Sequence, residues 1–223
     1  MNADTCDWSQ FHATLGPCIR PAGTVLTERA LQFCSLPAGS LVADVGCGAG
    51  GTLQYLEESG HFKLVGIDPS ENLLAEAGSR LATARLLRGS AEKIPCSSES
   101  FDLLLCECVL SVLQDQETAL DEFARVVKAG GFLVISDLFD NHGGGMAGLL
   151  SSETLMGLLT ARGFMPLLWE EHEQLLKEFV VRMIFAGHPW RCRQNQAARE
   201  GKGSPNSYFL LVARKGNGMD GMA

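Results

Sequence analysis

The stretch DVGCGAGGTL, residues 44–53, gathers the residue types best suited to holding a ligand. Gly46, Gly48, Gly50 and Gly51 crowd together directly after the apolar run LVADV. Glycine permits a tight turn and lets a bound molecule come close to the backbone. A helix that opens after such a turn offers unpaired N–H groups to a negative group. Gly46, Gly48 and Gly51 also satisfy G-x-G-x-x-G, a spacing that is weak evidence by itself. Asp68 follows about 20 residues later, where a carboxylate can accept hydrogen bonds from both hydroxyls of a ribose. A nucleoside-bearing ligand is the first implication.

Such residues need a frame to hold them. LVADV (41–45), KLVGID (63–68), ARLLRG (84–89) and FDLLLCE (101–107) read as buried strands. FLVISDL (132–138), MPLLWE (165–170) and YFLLVAR (208–214) read as three more. Between them fall helices at Gly51–Ser59, after Ser70, at Asp115–Val127, at Ser152–Arg162 and at Glu173–Ala186, with another around Ala22–Phe33. Ser70 is a natural N-cap, with Leu73, Leu74, Ala77 and Leu81 on one face of its helix. Lys128-Ala129-Gly130-Gly131 is expected to close the helix before it, with glycine as a left-handed cap. Gly163 is expected to stop the helix of 152–162. Repeated β–α–β units imply an α/β, doubly wound, Rossmann-like sheet of seven strands with helices on both faces. It is expected to be mostly parallel, with the last strand antiparallel.

NAD and S-adenosylmethionine both fit a glycine loop followed by Asp68. Asp44 separates them, because a carboxylate beside a pyrophosphate is unfavourable whereas an ammonium group welcomes it. The segment of some 40 residues before the first strand, and the two final strands joined by a helix and a long loop, point the same way. The pieces DVGCGAGGTLQYL, GIDPSENLL, GSAEKIPCSSESFDLLLCECVLSVLQD and ARVVKAGGFLVISD occur in order over roughly residues 40–140. Together they make the chain resemble a class I S-adenosylmethionine-dependent methyltransferase of the small type related to ubiquinone-biosynthesis methyltransferases.

The resemblance implies S-adenosylmethionine as cofactor and assigns positions. Gly46 and Gly48, with Asp44 nearby, would hold the methionine amino end, and Cys47 and Gly50 would also bind the cofactor. Asp68 would take the ribose, with Pro69 and Ser70 beside the adenine. Ala91 and Glu92 would flank its other side. Ser90 stands where many relatives carry an acid. Cys106 and Glu107 would end the fourth strand near the sulfonium. Arg20, ahead of the first strand, could pair with the methionine carboxylate. One domain is expected over residues 1–223. It would divide into an N-terminal helical lid (1–39), a cofactor core (40–140), a substrate-side part (141–216) and a frayed tail (217–223).

Candidates for a general base are Glu107, Asp137 and His172, with Asp140 and His142 also near strand ends. The acceptor would be a small molecule. The alternatives are a nicotinamide-dependent oxidoreductase, a non-catalytic cofactor-binding protein, and an arsenite methyltransferase using Cys18, Cys47, Cys106, Cys108 and Cys192. Cys106 and Cys108 form C-x-C, which in a continuing strand puts both thiols on one face. A metal site lacks ligands at recognised spacing.

The bulk numbers narrow the partners. The chain has 223 residues, a net charge of −8 and 46% hydrophobic residues. That acidity disfavours a nucleic-acid partner. No apolar run reaches the roughly 18 residues that a membrane span needs. MNADTCDWSQ lacks the pattern of a secretory signal, and the eight cysteines read as reduced, so a cytoplasmic location is expected. The basic segment 188–206, with Trp190, Arg191, Arg193, Arg199 and Lys202, is read as a solvated loop.

Overall fold

The computed structural model describes residues 18–140, 149–186 and 206–217. The strands are β1 (Leu41–Val45), β2 (Lys63–Asp68), β3 (Arg85–Arg88), β4 (Phe101–Glu107), β5 (Val127–Asp140), β6 (Phe164–Glu171) and β7 (Asn206–Lys215). The helices are α1 (Val25–Cys34), α2 (Gly51–Ser59), α3 (Glu71–Arg80), α4 (Gln116–Val126), α5 (Ser152–Ala161) and α6 (Glu173–Phe185). One 3-10 turn, Leu110–Val112, follows β4.

All seven strands join one sheet in the order β3-β2-β1-β4-β5-β7-β6. The pairs β1–β2, β1–β4, β2–β3 and β4–β5 are parallel, while β7 runs antiparallel to both β5 and β6. This is the doubly wound, mostly parallel architecture that the alternation of elements implies. Strands buried on both faces need apolar side chains at every position rather than at alternate ones. LVADV and FDLLLCE meet that need except at Asp44, Asp102 and Glu107, and β4 is buried almost throughout.

The alternation of side chains splits the core into two layers. Ala43, Val45, Leu104 and Ile135 face α4 and α5, which supply Leu120, Phe123, Leu155 and Leu159. Val42, Leu103, Leu105 and Val134 face the other way, toward Leu26 and Ala30 of α1, Leu53 and Leu56 of α2, and Leu176 of α6. Each fully buried leucine or phenylalanine contributes about 1.5–3 kcal/mol through water exclusion. Helices therefore cover both faces.

Local signals explain most boundaries. Ser70 accepts the Leu73 N–H and starts α3; Asp115 and Ser151 do the same for α4 and α5. Gly163, at φ +79°, follows α5 where a stop is expected. One reading is corrected. Lys128–Gly131 does not cap α4, which ends at Val126 with Val127 already extended and paired to Phe101. The next pair is Leu103 with Phe132, so Lys128–Gly131 bulges out of β5. The positive φ of Gly130 serves that bulge. A Cβ on Gly131 would press within about 3 Å of the Lys128 and Asp102 carbonyl oxygens.

The carboxyl ends of β1, β2, β4, β5 and β6 all lie at one edge of the sheet. Ligands bind at that edge in doubly wound folds.

Candidate functional site

The glycine loop begins where β1 ends. The N–H groups of Gly46 and Cys47 both donate to the Ile67 carbonyl, at 2.7 and 3.1 Å, which folds the loop toward β2. The glycines do different work. At Gly46, with φ +78°, a Cβ would overlap the Val109 side chain. At Gly48, with φ +52°, a Cβ would meet nothing within 4 Å. Gly46 is therefore required by packing within the protein, while Gly48 presents its bare backbone to open space.

Asp68 ties this loop to its neighbours. Its Oδ2 accepts the Gly48 N–H at 2.9 Å and its Oδ1 the Ser70 N–H at 2.8 Å. Its carbonyl accepts the Gly89 N–H at 3.2 Å, drawing the turn that follows β3 against β2. Ser90, Ala91 and Glu92 sit in that turn; Ala91 is buried and the Lys93 N–H returns to the Ser90 carbonyl. Pro69 is exposed and Ser70 is half-buried. The structure thus brings Gly48, Asp68, Pro69, Ser70 and the 90–92 turn to one edge.

The other end of the site carries three buried charged groups. Asp44 is 3% exposed, Glu107 7% and Arg20 7%. Register places Val45 beside Cys106, so Asp44 and Glu107 share a face at the ends of adjacent strands. Arg20 Nη1 pairs with Glu107 Oε2 at 2.6 Å. Two threonines complete a ring. Thr52 Oγ1 accepts from Arg20 at 2.6 Å and donates to Glu107 at 3.2 Å. Thr27 Oγ1 does likewise at 2.6 and 2.9 Å. Burial opposes the charge of Arg20, but the Glu107 carboxylate beside it prevails and holds its pKa above the usual range.

Asp44 differs. Among the described residues its carboxylate has no hydrogen bond or ion pair. Burial, reinforced by the nearby charge of Glu107 and only partly offset by Arg20, pushes its pKa up to about 8. A buried carboxylate without a partner is costly, and it is a ready receptor for a cation.

The other catalytic candidates are placed differently. Asp137 is buried, but its oxygens accept from Ser111 N–H (3.0 Å), Ser111 Oγ–H (2.6 Å) and Leu138 N–H (2.7 Å). It fastens the 3-10 turn to β5 on the face opposite Asp44 and Glu107. Burial raises its pKa, opposed by the Ser111 bonds. Asp140 lies in the last position of β5, its N–H bonded to the Leu150 carbonyl. His172 caps α6 at the end of β6, with Nε2 buried, unbonded, and 3.5 Å from Glu170 Oε2. It stands on the rim, at the α1 side, where Glu170 is held by Arg29.

The C-x-C reading also changes. Cys108 has φ +58°, so the chain turns after β4. Cys106 packs in the layer of α4 and α5, while Cys108 packs in the other and bonds the Tyr208 hydroxyl at 3.1 Å. The two thiols do not share a face. Burial raises the pKa of Cys18, Cys34, Cys47, Cys106 and Cys108, which keeps them neutral and poor at gripping a metalloid. Among the described residues no group of three or more His, Cys, Asp or Glu could hold a metal. His142, Cys192 and the basic segment 188–205 lie outside the described residues. Thr27 and Thr52 were not legible as site residues, because a lone hydroxyl in a helix carries no spacing signal.

Comparison with known proteins agrees with this geometry. Residues 43–135 match the family model described as a methyltransferase domain. A ubiquinone/menaquinone biosynthesis C-methyltransferase of Campylobacter jejuni is 28% identical over 128 residues, which cover 55% of this chain and 54% of that protein. The chain thus spans about half the length of the curated relatives it matches. Phosphoethanolamine N-methyltransferase 2 of Haemonchus contortus, solved with S-adenosyl-L-methionine, superposes with a TM-score of 0.76 at 18% identity, over 92% of this chain and 56% of that one. The cyclase SpnF gives a TM-score of 0.72 at 22% identity, over 87% and 81%. No helix among the described residues is long and apolar enough to cross a membrane. The motifs, the strand order and the family match agree: over residues 43–135 the chain is similar to methyltransferase domains, and its fold is that of S-adenosylmethionine-dependent methyltransferases of known structure.

Proposed function

We propose that the protein transfers a methyl group from S-adenosylmethionine to a small-molecule acceptor. The observation that carries this reading is Asp44: a buried carboxylate with no partner among the described residues, near the bare backbone of Gly48. An amino-acid ammonium is the cation that fits there. Asp68 and the 90–92 turn would receive the nucleoside end. When bound, the cofactor supplies an electrophilic methyl: the acceptor's lone pair forms the new bond, the carbon–sulfur bond breaks, and its electrons stay on sulfur.

The protein's own part is alignment and exclusion of water. Fixing two reactants in line can contribute about 7–11 kcal/mol in favourable cases. Glu107 and Asp137 are already committed to Arg20 and Ser111, so neither is a free base. His172 is the remaining acceptor-side candidate, on the strength of its position at the carboxyl end of β6 and its unbonded Nε2. The fold alone does not fix the chemistry, since a cyclase shares it. A nicotinamide reading is disfavoured, because Asp44 would repel a pyrophosphate.

Calorimetric titration with S-adenosylmethionine, S-adenosylhomocysteine and NAD tests the reading. Binding of the first two, lost in Asp44→Ala and Asp68→Ala, is the expected result. Binding of NAD alone would overturn it.

A further inference from the structure

We propose that Glu107 is a switching counter-charge, shared between Arg20, which it pairs with in the described structure, and the sulfonium of a bound cofactor. The proposal rests on the cofactor reading above.

Two carboxylates and one guanidinium cluster here: Asp44, Glu107 and Arg20, all buried on one face at the ends of β1 and β4. The cofactor carries the inverse set, two cations and one carboxylate. Sign-by-sign pairing gives Asp44 the ammonium, Arg20 the methionine carboxylate and Glu107 the sulfonium. In the described structure two of the three satisfy each other. Arg20 pairs with Glu107 at 2.6 Å, while Asp44 has no partner among the described residues.

Pairing Arg20 with a ligand carboxylate therefore requires an exchange of partners. Replacing one carboxylate by another on Arg20 keeps its charge-assisted hydrogen bonds. Thr27 and Thr52 suit such an exchange. Each hydroxyl both accepts from Arg20 and donates to Glu107, and a hydroxyl can rotate to keep either partner. Arg20 sits in a turn of its own, with its Nε on the Gly23 carbonyl at 2.7 Å, so turn and side chain can move together.

The consequence is a preference between cofactor and product. Methyl transfer leaves a neutral thioether. Glu107 then loses its cation and returns to Arg20, which weakens the hold on the product. Glu107 acts here as a positioning and selecting residue, with no proton transfer.

The test is calorimetry with S-adenosylmethionine and S-adenosylhomocysteine on wild type, Glu107→Gln and Arg20→Gln. The readout is the ratio of the two dissociation constants, product over cofactor. Glu107→Gln should lower that ratio about tenfold, within the usual span of coupling between sites. Arg20→Gln should weaken both ligands and raise the ratio, because Glu107 is then free for the sulfonium. Glu107→Asp should restore the wild-type ratio. Equal weakening of both ligands by Glu107→Gln would make Glu107 merely structural and overturn the proposal. If that variant does not fold, an unchanged or lowered ratio in Arg20→Gln overturns it equally. Wild type that binds neither ligand would defeat the cofactor reading itself, a separate outcome.

Discussion

Asp44 shows how a single residue reports on function through its cost. Its pKa of about 8 in the folded chain lies far above an ordinary carboxylate, and burial is the main cause. The folded protein therefore keeps a proton that the unfolded chain releases above about pH 4. Stability from this group must fall as pH rises from about 4 to about 8, and level off beyond. Asp44→Asn removes that dependence. Thermal melts should show the variant gaining on wild type across this window; parallel curves would contradict the assignment. Binding an ammonium needs the ionised form, so cofactor binding near pH 6.5 should release close to one proton. Titrations in buffers of different ionisation heat measure that number. The glycines make a paired prediction. Gly46→Ala should destabilise the fold by about 2–4 kcal/mol through overlap with Val109 and backbone strain. Gly48→Ala should cost only about 1 kcal/mol of stability, yet abolish cofactor binding by filling the open side of the loop.

Elements deliver these residues to the site by local rules and are fastened by non-local ones. β4 is placed by its apolar run, but the turn after it is held by Ser111 on the buried Asp137. Ser111→Ala should cost about 1–3 kcal/mol in denaturant unfolding, because it leaves a buried carboxylate short of a donor. It should leave S-adenosylhomocysteine affinity little changed, since Asp137 faces away from Asp44 and Glu107. A large loss of affinity would mean the turn itself shapes the cofactor site. α1 is the element with two attachments. Thr27 reaches Glu107, and Arg29 reaches Glu170 at 2.8 Å beside His172. One helix thus touches both the Arg20–Glu107 ring and the Glu170–His172 rim.

At the scale of the whole molecule, a ligand that binds only the folded state adds stability by mass action. S-adenosylhomocysteine at about 100 times its dissociation constant should add about 2.7 kcal/mol. For a chain of this size that is a rise in melting temperature of roughly 5–10 °C. NAD should give none. The sequence by itself determined the alternation of strands and helices, the glycine loop and the position of Asp68, because periodicity, caps and turns act over a few residues. What it left open was every pairing across long separations. Thr52 and Thr27 meet Glu107 from 55 and 80 residues away. The Lys128–Gly131 segment looks like a helix cap until the register with β4 makes it a bulge. Cys106 and Cys108 look like neighbours on one face until a single positive φ sends them to opposite layers. Only the tertiary structure decided which carboxylates were spent and which was spare, because a charge buried at a strand end finds its partner in three dimensions and not along the chain.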